Sequence, residues 1–549
     1  LVYSLLNEFN GKYYVENTMF NKILITTILS APLLLMSASL QAEALSPEEF
    51  KTPQKNYKPK TWMHAMNGNL SKPGFTQDFK AMADAGIGGA IFFHVHRQNK
   101  PYSSRGPVRF GTEEFNDTLL HAIGEADKNG LEMGVHNADG WSSSGGPWIT
   151  PEMSMKRITW SEEAISIKQN TGKKITAEQL KQPGFEEGLY QDIALIALPA
   201  NEFNQSNLFA NAKLSSSDPS LDINLLKDND WDTELIFTEN KNNDYWLQVE
   251  VDQPTTLRSL QIETPSRHGE AALQISDDGV TFTTVVEKLR RPRTGARTWA
   301  FSPTFDGFTA KYFRFVFDKP IGIKRFDLWS VPRAPHWLAM NAMERGKLTL
   351  TPTTHHNVVT KAKDVLVLNR GELPKNGITL PKGNWRVLRF GYTSTGAKNI
   401  PATVEGTGLE CDKFDPVALQ FHFEQYVGKL AKAAQAKGYK SLKTSEIDSY
   451  EMGGQNWTQG IDKTFKDKFN YDFIPWLPLI TGRVIESPAH SGAILQEFRQ
   501  HLADLMVENY FGEFTRLTKQ YGLESYIEPY GWGPFDELAS GGKADRLMG

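Results

Sequence analysis

Between Trp62 and Asn137 the chain passes three times through an apolar, strand-like run and then a polar or helical one. Few layered folds accommodate that rhythm. Trp62–Met66 reads as a short strand, and Lys72–Ala85 as a helix stopped by Gly86. Gly89–His96 is apolar almost throughout, and Glu113–Asn129 is amphipathic up to Gly130. Leu131–Asn137 is a third strand, followed by the Gly/Ser-rich loop Asp139–Gly146. Such alternation predicts βαβ units and a parallel sheet.

The rhythm stops at residue 157 and returns near Asp415. Asp415-Pro416 reads as an N-cap with proline at the first helical position. Val417, Phe421 and Leu430, with Tyr426 or Val427, form the expected buried stripe, and Gly438 ends the helix. Ser441–Asp448 is a fourth strand, Ala493–Tyr521 a long helix, and Leu523–Glu528 a fifth strand. The expected class is α/β: a TIM-type (β/α)8 barrel, incomplete here because five strands are counted and closure takes eight.

Residues 157–400 carry short β-type runs with little helical period. Tyr245–Val251, Leu273–Ser276 and Tyr312–Phe315 alternate apolar with polar side chains, as in a two-sheet sandwich. Their order, with the turn Ser276-Asp277-Asp278-Gly279, resembles a discoidin-like sandwich over about residues 207–332. The expected division is therefore residues 1–44 as leader, 45–156 as the first barrel part, 157–400 as inserted β modules and 401–549 as the resumed barrel.

In the leader, Met19-Phe20-Asn21-Lys22 precedes the apolar run Ile23–Met36 and small residues through Ala42 and Ala44. This pattern predicts a secretory signal peptide, a periplasmic or secreted protein, and no membrane span after cleavage. Sixty Lys plus Arg against 64 Asp plus Glu leave a formal charge of −4, so no basic excess exists to hold nucleic acid. The one cysteine, Cys411, excludes an internal disulfide framework and a Cys-based zinc site.

A barrel places its chemistry at the C-terminal strand ends. There the sequence offers His94-Val95-His96, His136-Asn137-Ala138-Asp139-Gly140-Trp141, Glu446-Ile447-Asp448-Ser449-Tyr450-Glu451 and Tyr526-Ile527-Glu528-Pro529-Tyr530. Strand alternation puts Glu446 and Asp448 on one face and Ile447 on the other; likewise Tyr526 and Glu528 point inward. Paired carboxylates at neighbouring strand ends suit glycoside hydrolysis, in which one protonates the leaving oxygen and the other activates water or attacks carbon. His94, His96, His136, Asn137 and Asp139 are candidate ligands for sugar hydroxyls, and Trp141, Trp457 and Trp532 candidate stacking platforms. Two other readings stay open: a metal hydrolase using His94-x-His96 with His136 and Asp139, and a non-catalytic carbohydrate-binding protein.

Trp62-x-x-x-Met66-Asn67-Gly68, Phe75-Thr76-x-Asp78-Phe79, His136–Trp141 and Gly406–Lys413 resemble motifs of the family 106 α-L-rhamnosidases. So do Asp448-Ser449-Tyr450-Glu451-x-Gly453-x-Gln455-Asn456-Trp457-Thr458 and Glu528-Pro529-Tyr530-Gly531. The resemblance covers about residues 60–150 and 385–549. It implies an exo-acting, inverting enzyme that removes terminal α-L-rhamnose from plant or algal polysaccharides or glycosides. It further implies Glu451 as general acid, Asp448 as its orienting partner, and Glu528 as the second carboxylate. Calcium is implied as well, with Asp139, Asp448 and Glu528 as candidate oxygen ligands. Family members continue past Ala544-Asp545-x-x-Met548-Gly549 into a Glu-Phe-Trp segment, whose glutamate is a candidate base. On that reading this chain is C-terminally truncated and inactive alone.

Overall fold

The computed structural model describes residues 47–548 except 55–56, 97–103, 143, 169–173, 201–207, 210–211, 240–241, 266–268, 290–298, 335–336, 344–358 and 532. The leader and Trp532 therefore lie outside the described residues. The chain divides into two units, residues 1–58 and 59–549. In the first, a short helix spans Pro47–Lys51. No helix among the described residues is long and apolar enough to cross a membrane.

The second unit contains a parallel sheet whose strands follow one another in chain order. They are β1 (Lys60–Met66), β2 (Gly89–Val95), β3 (Glu132–His136), β4 (Leu442–Ile447), β5 (Glu524–Ile527) and β6 (Arg546–Leu547). The strand count from sequence is thus one short. With only two residues, β6 has no apolar run to announce it and is defined by its pairing with Tyr526 and Ile527.

Local chemistry explains the connecting helices. Helix α1 (Lys72–Asp84) starts at Ser71, whose hydroxyl accepts from the Gly74 N–H, and buries Phe75 and Phe79. Helix α2 (Glu113–Lys128) is capped by Thr112 and carries two glutamates in its first turn, where they favour the dipole. Phe115, Leu119, Ala122, Ile123 and Ala126 form its buried face. After Asp415, the helical stretch Pro416–Ala436 contains a π-helical segment at Glu424–Gly428. Its buried face is Ala418, Leu419, His422, Phe423, Tyr426, Val427 and Leu430. Val417 is 65% exposed, a correction to the expected stripe; at the second helical position it faces away from that side. The long helix begins at Pro488, capped by Ser487, several residues before the expected start.

Every strand pairing between residues 156 and 394 is antiparallel among the described residues. Two modules are nested there. Lys156–Ile167, Gln191–Pro199, Leu366–Arg370 and Gly383–Ser394 form a four-stranded sheet. Its one face, with Ile158, Trp160, Ile196 and Phe390, joins the main core, and its other face, with Ile167, Leu195, Ala197 and Val387, packs a small core of its own. Between its second and third strands the chain builds a seven-stranded antiparallel sheet assembly from Lys213 to Trp329. The assembly is joined to the four-stranded sheet by the buried Arg157–Glu263 pair at 2.9 Å and by Arg325 lying over Trp160.

Candidate active site

The face of the parallel sheet opposite the helices carries an in-register row across all six strands: His64, Phe93, His136, Glu446, Tyr526 and Arg546. Alternation sends Ile447 the other way, into the main core. Immediately past the ends of β4 and β5 stand Asp448 and Glu528. One backbone N–H, that of Ser449, donates to Asp448 Oδ1 at 2.6 Å and to Glu528 Oε2 at 3.0 Å. The two carboxyl groups thus sit against one shared donor, each in the other's field. Burial, and then the Asp448 charge, push Glu528 up to about 7. Burial raises Asp448 as well, with the charge of Glu451 adding to it. A carboxyl pair held this way shares a proton near neutral pH.

The two motif loops are tied together above this pair. The Tyr450 N–H donates to the Tyr530 carbonyl at 2.8 Å, and Tyr450 and Gly531 form a parallel bridge. Gly531 has φ +140°, and any Cβ there would overlap the Tyr450 carbonyl. The neighbouring Glu528 carboxyl, with burial, pushes the Tyr530 phenol up to about 12. Glu451 is half-buried on the same loop as Tyr450. Below the pair, Glu446 and His136 are register neighbours and fully buried. Burial, followed by the Asp448 and Glu528 charges, raises Glu446 well above the carboxylate range. Burial lowers His136 to about 4, so its ring is neutral.

Strands β2 and β3 end differently. His94 lies on the helix side, stacked on Phe110 and edge-on to Phe115. Its Nε2 accepts from the Gly68 N–H at 3.0 Å, so Nδ1 donates to Asp139 Oδ1 at 2.9 Å. Asp139 Oδ2 accepts from the Thr403 N–H at 3.0 Å and from the Thr403 hydroxyl. Both Asp139 oxygens are therefore engaged away from Asp448 and Glu528. Among the described residues no three His, Cys, Asp or Glu side chains gather to hold a metal ion. The His94-x-His96 metal reading therefore fails, because both His94 ring nitrogens are committed to the framework. His96 is half-buried, its N–H donating to the Pro401 carbonyl.

Asn137 is also tied to the framework: its side-chain amide donates to Ser144 Oγ at 2.7 Å, and its backbone carbonyl accepts from His422 Nε2. The Gly406–Lys413 motif supports the same loop. Glu410 accepts from Ser142, Ser144 and Lys413, all of them buried. Trp141 is 37% exposed, edge-on to His64, and offers an open ring. Trp457 does not, being buried and stacked on Tyr392.

A family model described as alpha-L-rhamnosidase matches residues 51–549. The chain belongs to glycoside hydrolase family 106. A rhamnosidase from Novosphingobium sp. PP1Y is 26% identical in sequence and superposes with a TM-score of 0.70, over 91% of this chain and 48% of that one. A Formosa agariphila protein provisionally named a beta-glucuronidase is 28% identical over 522 residues, covering 94% of this chain and 34% of that protein. The chain thus spans half or less of the length of these relatives.

For this family 106 chain, sequence reasoning placed Asp448 and Glu528 as neighbours, as the structure does, but left two residues beside them unassigned. Glu446 shares the Asp448 face by strand alternation, a signal already legible in the sequence. Tyr530, 41% exposed beside Glu528, is an aromatic side chain at the rim that no local pattern separates from core aromatics.

Proposed function

We propose that this chain carries the sugar-cleaving site of an exo-acting α-L-rhamnosidase. It would release terminal α-linked rhamnose, with inversion, from plant or algal polysaccharides or glycosides. The observation that carries the reading is the Asp448–Glu528 pair on one shared N–H, two buried carboxyls above a third, at adjacent parallel-strand ends. Oxygens held on one N–H at 2.6 and 3.0 Å lie closer together than the ~6.5–9.5 Å that separates the acid and base of an inverting glycosidase. The pair therefore acts as one unit that binds and orients the sugar, and the proton donor to the leaving oxygen is a separate group, Glu451. The six-stranded parallel sheet in chain order supports its belonging to a (β/α)8 barrel.

Calcium fits this site in part. Asp448 and Glu528 would hold it and Asp139 would not; sugar hydroxyls and water would complete the six to eight oxygens it takes. When bound, the ion supplies positive charge that orients a diol. We also propose export of the protein, on the strength of the Met19–Ala44 segment.

A uronide would bring a further carboxylate to this site. Two cations of the sheet, Arg546 and Lys60, are already paired with Glu132 and Glu524, which favours a neutral sugar. The test is turnover by the full-length gene product of an aryl α-L-rhamnoside against an aryl β-glucuronide. Release from the rhamnoside alone is expected; release from the glucuronide alone would overturn the reading.

A further inference from the structure

Nine acidic side chains are buried in the described structure: Asp139, Glu162, Glu186, Glu263, Glu410, Asp412, Glu446, Asp448 and Glu528. Eight have donors or cations against them. Glu162 has Arg386 and Arg483, Glu186 has Lys324, and Glu263 has Arg157. Glu410 has Lys413, Asp412 has Lys156, and Asp448 and Glu528 have Ser449. Asp139 has His94 and Thr403. Glu446 alone has neither oxygen engaged. Its register neighbour His136 has Nε2 without a partner as well.

Burying an unpaired polar group costs roughly 1–3 kcal/mol, so three such atoms side by side need a reason. A framework role would have supplied donors, as it did for Asp139, Glu162, Glu186, Glu263, Glu410 and Asp412. Their position supplies the reason. Glu446 and His136 lie one layer beneath Asp448 and Glu528, on the same face, between Phe93 and Tyr526. His136 stacks on Phe93 with ring centroids 5.0 Å apart, which fixes its plane.

We propose that Glu446 and His136 form the floor of the sugar site and take one ring hydroxyl of the bound sugar between them. A hydroxyl both donates and accepts, so it satisfies a carboxyl oxygen and an imidazole nitrogen at once, which neither a methyl group nor a carboxylate does. Glu446 is then a specificity-determining residue. The inference rests on the rhamnoside reading above and assigns the part of that site that selects the sugar.

The test is calorimetric binding of methyl α-L-rhamnoside and its 2-, 3- and 4-deoxy analogues to the full-length protein. Wild type should bind one of the three analogues roughly 10- to 100-fold more weakly than the parent. Glu446→Leu should bind the parent that much more weakly and no longer distinguish it from that analogue. Glu446→Gln, which keeps the shape and an acceptor, should retain part of the discrimination, and it carries the test if the leucine variant does not fold. Undiminished discrimination in the Glu446 variants, or equal losses for all three analogues, would overturn the inference alone. Failure of wild type to bind any rhamnoside would overturn the reading it rests on.

Discussion

Strands β3 and β4 lie side by side, and each is followed by an aspartate that the sequence presents in the same way: Asp139 and Asp448. Asp139 is saturated, with His94 on one oxygen and Thr403 on the other. Gly406 packs so close to it that any side chain there would strike its carboxylate. Among the described residues, Asp448 has Ser449 beside it and then the acids Glu528, Glu446 and Glu451, while burial removes water. The first arrangement joins β2, the loop after β3 and the segment at residues 403–406 into one framework. The second leaves charge uncompensated, where a ligand can supply what the fold withholds.

The sharpest way to break this contrast is through activity. Glu451→Gln should cut hydrolysis of rhamnosides with poor leaving groups by about 10²–10⁴-fold and spare activated aryl rhamnosides. Equal loss on both substrates would make Glu451 a binding residue. Asp139→Ala should do the reverse: near-normal kcat per folded molecule, but stability lower by about 3–5 kcal/mol in denaturant unfolding, because His94 and Thr403 lose a buried partner. Lost activity in a fully stable Asp139 variant would move Asp139 into the site.

Metal removal gives a smaller, selective difference. EDTA should lower activity and calcium should restore it; Asp448→Asn should weaken that restoration, whereas Asp139→Asn should leave it unchanged. Full activity after exhaustive chelation would reject calcium.

The smallest effect is on pH-dependent stability of the metal-free protein. Glu528 titrates near 7 when folded and in the ordinary carboxylate range, near 4.5, when unfolded. Between those values the unfolded chain has released the proton and the folded one still holds it, so ionisation of Glu528 destabilises the fold as pH rises through that window. Glu528→Gln should therefore gain stability over wild type between pH 5 and 8, on the order of 1 kcal/mol. A difference independent of pH would show that Glu528 is not held in this way.

Much of the fold was legible because it is written locally. Ser71, Thr112 and Asp415 cap helices through their own side chains, and Gly86, Gly130 and Gly438 end them at positive φ. The change from apolar runs to alternating ones marked where parallel pairing gives way to antiparallel. Short-range pattern failed where no pattern exists. The two-residue β6 is defined by its neighbour, and the four-stranded sheet that encloses the seven-stranded assembly pairs strands from opposite ends of the insertion.

The site divides along the same line. Strand alternation in the sequence was enough to put Glu446, Asp448 and Glu528 on one face. Which of the polar strand ends are satisfied was decided only by tertiary structure, because the partners come from far along the chain. Thr403 reaches Asp139 from 264 residues away, and Ser142 reaches Glu410 from 268. Hydrogen-bond donors act over about 3 Å and no local spacing encodes their arrival. The acids the fold supplies with donors became framework, and the ones it buries with little but one another became the site.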